Sequence, residues 1–139
     1  MNGKLAIKGR SLVPGRARGK SVVLHEPLSL WGGFGLEDGT IIDVNHPQAG
    51  TRIAGCILVM PGGRGSSSSS SILLESARLG IHPLAIVLSE PDPILVIGAL
   101  LAADLYGVTI PVVQIRDAWP GSENSVSIDA GEKDALIAF

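Results

Sequence analysis

The sequence contains a single cysteine, Cys56, and charged residues make up only 17% of it. One cysteine excludes an internal disulfide framework and any metal site built from several cysteines of this chain. It is also typical of a reducing, cytoplasmic location. Hydrophobic residues reach 45%, which argues against disorder. So low a charge content predicts that a partner covers part of the apolar surface.

Segments that would direct the chain to a membrane are also missing. The start, MNGKLAIKGRSLVPG, lacks an apolar core followed by a small-residue cleavage site, so it does not resemble a secretory signal. The most apolar stretch, PILVIGALLAADLYGV, contains Asp104 and is shorter than the ~20 residues that a membrane span needs. The net charge of −2 provides no general attraction to nucleic acid or to an anionic membrane. We therefore expect neither as a partner.

The length of 139 residues predicts one domain over residues 1–139. Two β-branched segments, 5–13 and 17–25, flank a Pro-Gly pair and predict a hairpin or a strand pair at a barrel edge. A long loop region follows at 25–50, with a short strand candidate at 40–44.

From residue 55 onward the chain alternates between strands and helices. CILVM, HPLAIVLS and VTIPVVQI are apolar runs typical of buried strands, and SVSIDA is a final short strand before a polar turn and the tail ALIAF. ILLESARLG predicts one helix, and PILVIGALLAADLY predicts a second, with Asp92 as N-cap and Gly107 as stop. This order predicts an α/β domain in which helices flank a small parallel sheet and an antiparallel β layer closes the other side.

The run PGGRGSSSSSS, residues 61–71, lies between a predicted strand and a predicted helix. A flexible linker, an ordinary helix N-cap and an anion or substrate site are all open. A strand that ends in glycines and turns directly into a helix gathers free N–H groups at the positive end of the helix. Arg64 can bind a carboxylate or phosphate through two parallel hydrogen bonds. The Walker lysine and the GxSxG pattern are both absent.

A second candidate cluster lies in IIDVNHPQAG, where His46 stands close to Asp43 and Asn45 in the long loop. His25 and His82 occupy ordinary positions beside predicted strands. Cys56 opens an apolar strand and is expected to be a small core residue.

Taken together, GTIIDVNHPQAGTRIAGCILVMPGGRGSSSSSSILLE and SEPDPILVIGALLAADLYGVTIPVV resemble the small subunit of the aconitase X family. The resemblance covers about residues 3–130, and its most specific part is D-x-x-H-P-x-x-G followed by P-G-G-x-G-S-S. It implies the β/β/α swivelling domain of the aconitase C-terminal region. It also implies a heterodimer with a large subunit that dehydrates a hydroxy acid. The resemblance places the iron–sulfur cluster on cysteines of that large subunit and no metal ligand on this chain.

The resemblance also implies roles for single residues. Aconitase-like swivelling domains carry G-x-G-S-S-R, and Ser68 stands here where the arginine would be. Ser66 is implied to be the catalytic base that removes a proton next to the substrate carboxylate, and Arg64 is a candidate replacement for the arginine. The residues expected to bind substrate are Gly63, Arg64, Gly65, Ser67, His46 and Asp43.

Two substrates are associated with such two-subunit relatives. The uninterrupted serine run favours the bacterial type, which converts cis-3-hydroxy-L-proline to a pyrroline-2-carboxylate. The alternative is the small subunit of mevalonate 5-phosphate dehydratase, since Arg64 and a serine-rich helix start could bind a phosphate. A further alternative is a non-catalytic anion-binding or carrier module. A phosphohistidine carrier would need a histidine at the helix start, where serines stand.

Overall fold

The computed structural model describes residues 5–121 and 125–139. Residues 1–4, where the segment with the family resemblance begins, and residues 122–124 lie outside the described part. In chain order the elements are β1 Ala6–Val13, β2 Gly15–Gly19, β3 Ser21–Val23, α1 Leu30–Gly33, β4 Ile57–Met60, α2 Ser69–Leu79, β5 Ala85–Leu88, α3 Pro93–Tyr106, β6 Val112–Gln114, β7 Val126–Ala130 and β8 Asp134–Ala138.

The strands form one mixed sheet in the order β2-β7-β8-β1-β6-β5-β4-β3. Strands β3 to β6 are mutually parallel, and β1 pairs antiparallel with both β6 and β8. The predicted parallel sheet and antiparallel layer are therefore two halves of one continuous sheet, joined by β1. Strand β2, at one end of the sheet, also contacts β4, next to the other end. The sheet therefore curls into a nearly barrel-like shape.

The two faces of the parallel strands are covered by different parts of the chain. On one face, Leu73 of α2 and Ala99 of α3 pack against sheet residues such as Ile86. On the other face, Val87 packs with residues of the antiparallel half such as Ile137. Because both faces are covered, all four residues of β4 and all four of β5 are buried. The predicted runs of continuous apolar residues are thus confirmed as buried strands.

The helix boundaries follow local signals. In α3, the Asp92 carboxylate accepts the Ile94 N–H at 2.9 Å, Pro93 occupies the first turn, and Gly107 ends the helix with φ 64°. Helix α2 ends in the same way at Gly80, with φ 75°. Within residues 5–121 and 125–139, the structure contains no helix with the length and apolarity needed to span a membrane.

Three details of the sequence prediction are wrong. Segments 5–13 and 17–25 do not form a hairpin, because β2 pairs with β7 while both edges of β1 are taken by β6 and β8. Only Pro14 separates β1 from β2, which is too short for a hairpin loop. Residues 40–44 form only isolated bridges through Thr40 and Ile41. The tail ALIAF contributes to strand β8.

Candidate functional site

The candidate site lies at the carboxyl ends of the parallel strands, where residues 61–68 connect β4 to α2. Ligand sites of open α/β sheets commonly lie at this edge. The Glu90 N–H, just after β5, donates to the Pro61 carbonyl at 2.9 Å. Leu28, after β3, forms a parallel bridge with Gly63. The segments that follow three neighbouring strands therefore meet at this edge.

The glycine turn presents free backbone donors. Gly65 has φ +88°, in the left-handed region that favours glycine. Within the part of the chain that the structure describes, the N–H groups of Gly65, Ser66 and Ser67 donate to no other group. Successive free amides around a left-handed residue form a concave anion site. The turn can therefore bind a carboxylate or a phosphate through its backbone alone.

The Ser66 hydroxyl is held by the start of α2. Its Oγ accepts the Ser68 N–H at 3.1 Å, and its carbonyl accepts the Ser69 N–H at 3.0 Å. Ser66 is partly exposed, so its hydroxyl is open to a ligand at the turn. A backbone donor on Oγ and the positive end of α2 both favour negative charge on this oxygen.

Gly63 is required by a close contact with α3. A Cβ at this residue would lie 1.8 Å from Oδ2 of Asp92, the N-cap of α3. The turn after β4 thus packs directly against the start of the neighbouring helix. Asp92 was predicted as a cap, but no local pattern indicated its contact with residue 63.

Arg64 and Ser67 are exposed beside the turn. Among the described residues, the ion pairs join Arg16 to Asp129 and Arg78 to Glu75, so the Arg64 guanidinium is unpaired there. Both predicted substrate-binding side chains are therefore accessible from solvent next to Ser66.

Two of the later serines, Ser69 and Ser70, make contacts with neighbouring segments of the fold. Ser69 is 5% exposed, and its Oγ accepts the Trp31 N–H at 3.3 Å. The Ser70 hydroxyl donates to the Ile94 carbonyl at 2.5 Å and ties α2 to α3. These two serines therefore connect the start of α2 to Trp31 and to α3. The buried face of α2 runs through Ser69, Leu73, Ser76 and Ala77, a helical spacing that could have revealed the first of them.

The His46 side chain is buried, and both of its ring nitrogens lie close to backbone groups of the surrounding loop. The residue is 7% exposed, its Nε2 lies 3.3 Å from the Glu26 carbonyl, and its Nδ1 accepts the Gln48 N–H at 3.0 Å. Asp43 accepts the Asn45 N–H at 2.9 Å. Among the described residues neither side chain hydrogen-bonds to the glycine turn, and their role in substrate binding stays a prediction.

Gln48 fixes this loop against the sheet. Its side-chain amide donates to the Val23 carbonyl at 2.8 Å and accepts the His25 N–H at 2.9 Å. The loop containing His46 is thereby attached to the carboxyl end of β3, at the same edge as the turn after β4.

The described residues do not fit an iron–sulfur cluster. Across residues 5–121 and 125–139, no group of three or more His, Cys, Asp or Glu side chains could hold a metal ion. Cys56 precedes β4 and so lies at the opposite end of that strand from the glycine turn.

Comparison with known proteins identifies the class of domain. The sequence-family model of the aconitase X swivel domain matches residues 6–136 of this chain. The crystal structure of Thermococcus kodakaraensis aconitase X in its holo-form superposes with a TM-score of 0.83 at 30% identity, covering 96% of this chain and 98% of that one. The chain belongs to the aconitase X swivel domain family, which confirms the resemblance and the swivelling fold.

Curated relatives fall into two groups. The chain is 44% identical over 74% of its length to the cis-3-hydroxy-L-proline dehydratase of Pseudomonas aeruginosa, and it spans only 18% of that protein. It is 33% identical over 95% of its length to the phosphomevalonate dehydratase small subunit of Thermococcus gammatolerans, of which it spans 98%. This chain therefore resembles a complete small subunit in one group and a small part of a longer chain in the other.

Proposed function

We propose that this chain is the small subunit of a heteromeric aconitase X hydro-lyase, in which the turn at Ser66 forms part of the active site. The observation that carries the proposal is the Ser66 hydroxyl, held by the Ser68 N–H beside three free backbone amides. These groups stand at the positions of the family's G-x-G-S-S motif. The large subunit supplies the iron–sulfur cluster and completes the site.

In this proposal Ser66 acts as the catalytic base. A neutral hydroxyl is a weak base, so the residue must react as its alkoxide. The Ser68 N–H, the start of α2 and the unpaired Arg64 charge would all stabilise that anion. The alkoxide takes the proton from the carbon next to the carboxylate, a carbon–carbon double bond forms, and hydroxide leaves the adjacent carbon. Departure of the hydroxide falls to the large subunit.

We propose cis-3-hydroxy-L-proline as the substrate and a pyrroline-2-carboxylate as the product. The 44% identity to the Pseudomonas aeruginosa enzyme supports this choice. The substrate carboxylate would be bound by the amides of Gly65 and Ser67 and by Arg64, which would take the place of the arginine absent at Ser68. Gly63 would let the turn approach the substrate, and Asp43 and His46 would contribute from the neighbouring loop.

Mevalonate 5-phosphate is the second candidate substrate. The supporting observation is that this chain spans nearly the full length of phosphomevalonate dehydratase small subunits, including that of Pyrococcus furiosus at 38% identity. Free amides with an adjacent arginine also suit a phosphate. A non-catalytic anion-binding module would use the same amides without any large subunit.

The test is to co-purify the chain with its large subunit under anaerobic conditions and assay both substrates. Ser66→Ala is expected to lower turnover about 10²–10⁴-fold, as loss of a general base does. Ser71→Ala, an exposed serine of the same run, is the matched control and should retain full turnover. Near-normal turnover by Ser66→Ala would contradict the role of Ser66. Dehydration by the isolated chain would contradict the need for a large subunit.

A further inference from the structure

Three large apolar side chains stand exposed in the segment between β3 and β4. Val44 is 86% exposed, Trp31 58% and Ile42 53%. Exposed apolar residues scattered singly need no explanation, but a contiguous group marks an interaction surface. These three residues therefore indicate an interaction surface only if they are neighbours in the fold.

Backbone contacts place the three residues on two neighbouring segments. The Ile42 N–H donates to the Gly33 carbonyl at 2.8 Å, so the segment containing Ile42 and Val44 runs beside the segment containing Trp31. A Cβ on Gly33 would lie 3.9 Å from Cβ of Asp43, which stands between the two exposed aliphatic residues. We call Trp31, Ile42 and Val44 the Trp31 face.

The Trp31 face is held in place by buried neighbours. Leu30 is 2% exposed, Phe34 4% and Ile41 2%, and all three belong to the core between sheet and helices. Each exposed residue is thus adjacent to, or within three residues of, a fixed anchor. An apolar surface that is already ordered loses little conformational entropy on binding.

The Trp31 face adjoins the candidate site. The Trp31 N–H donates to Oγ of Ser69, in the first turn of α2, at 3.3 Å. Leu28, three residues before Trp31, bridges Gly63 of the glycine turn. A protein seated on Trp31 would therefore lie against the start of α2, where Ser66 is held.

We infer that the Trp31 face docks the large subunit and brings its residues to Ser66; the inference rests on the proposed function. The Pseudomonas aeruginosa relative is a single chain of which this domain spans 18%, so the larger part of such an enzyme lies outside this domain. That larger part must reach the carboxyl edge of the sheet to complete the site, and the Trp31 face borders that edge. A buried tryptophan at the centre of an interface commonly dominates its binding energy.

A second apolar surface on α3 provides the comparison. Leu105 is 58% exposed, like Trp31, but it stands in the last turn of α3 and so at the opposite edge of the sheet. Leu105 is thus apolar and as exposed as Trp31, but it lies far from the glycine turn.

The experiment measures the dissociation constant between the chain and its purified large subunit, together with the turnover of each complex. Trp31→Ala and the milder Val44→Ser are each expected to weaken binding about 10- to 100-fold, whereas Leu105→Ala leaves it unchanged. Ser66→Ala should bind normally and lose turnover. Urea unfolding checks that each variant is folded. Val44 is the most exposed of the three residues, so Val44→Ser still tests the face if Trp31→Ala disturbs the fold.

Each outcome decides the inference. Binding of both face variants as tight as that of wild type would overturn it, as would weakening by Leu105→Ala alone. Self-association of the isolated chain that Trp31→Ala abolishes, with binding to the large subunit unchanged, would assign the face to a second copy. Failure of the wild-type chain to bind the large subunit would refute both the inference and the proposed function. Normal turnover by Ser66→Ala in a complex that needs Trp31 would refute only the assignment of the base.

Discussion

The contact between Gly63 and the start of α3 gives a quantitative prediction. A Cβ at residue 63 would lie 1.8 Å from Asp92 Oδ2 and 3.0 Å from its Cγ. Gly63→Ala must therefore displace the carboxylate that accepts the Ile94 N–H at 2.9 Å. Displacing the carboxylate loses the N-cap, at about 1 kcal/mol, whereas keeping it in place costs about 1–3 kcal/mol of overpacking. We expect the free energy of unfolding to fall by about 1–3 kcal/mol.

Equilibrium urea unfolding of the purified chain measures this loss. Gly62→Ala is the matched control, because its Cβ would meet Glu90 Cβ at an ordinary 3.5 Å, and it should change the unfolding free energy by less than about 0.5 kcal/mol. In an Asp92→Ala background the clashing carboxylate is gone, so Gly63→Ala should cost less than about 1 kcal/mol. A Gly63→Ala chain as stable as wild type would refute the reasoning. So would an equal loss in both backgrounds, because the clash would then not act through Asp92.

Three further predictions concern stability. Ser69→Ala removes the acceptor of the Trp31 N–H and should lower the free energy of unfolding by about 1 kcal/mol in urea. His46→Ala leaves two loop backbone groups unpaired and should lower it by about 2–4 kcal/mol. The Arg78 guanidinium lowers the pKa of the Glu75 carboxyl, so this pair stabilises the fold near neutral pH and loses its effect as pH falls through the lowered pKa. The melting temperatures of Glu75→Gln and wild type should therefore differ slightly at neutral pH and converge in acid.

Controls separate these effects from general damage. Ser71→Ala, in the same serine run but exposed, should leave stability unchanged. His46→Asn keeps a hydrogen-bonding group in the loop and should lose less than His46→Ala. Wild-type stability of Ser69→Ala or His46→Ala would contradict the importance of these contacts. A Glu75→Gln difference that grows in acid would contradict the sign of the pKa shift.

The parts of the fold that the sequence predicted correctly depend on neighbours along the chain. Asp92, Pro93 and Gly107 are local signals for the start and end of one helix, and the structure confirms each of them. The run CILVM is apolar throughout because both faces of β4 are covered, and that burial is visible in composition alone.

The parts that the sequence missed depend on distant contacts. Strand β8 alternates, with Ala135 and Ile137 buried and Leu136 exposed, but five residues near the chain end are a weak signal without their partner β1. The pairing of β2 with β7 likewise joins segments far apart in sequence, so the Pro-Gly pair alone wrongly predicts a hairpin turn.

The candidate site also combines features that the local sequence predicts with features that depend on distant contacts. The free amides of the glycine turn follow from a strand that passes through glycines into a helix, and this pattern is local. The fit of Gly63 against Asp92 depends on the packing of two loops that lie 29 residues apart, and no spacing rule encodes it. The use of both His46 ring nitrogens by the loop is also invisible in IIDVNHPQAG alone.

Gln48 also has a consequence for the edge of the sheet. Strand β3 lies at one end of the sheet order, so outward-facing backbone groups at its carboxyl end could pair with a strand from another molecule. The Gln48 side chain occupies the Val23 carbonyl and the His25 N–H, and so takes the place that a peptide group of an added strand would fill. The loop beside the candidate site thus also blocks strand addition at the carboxyl end of β3.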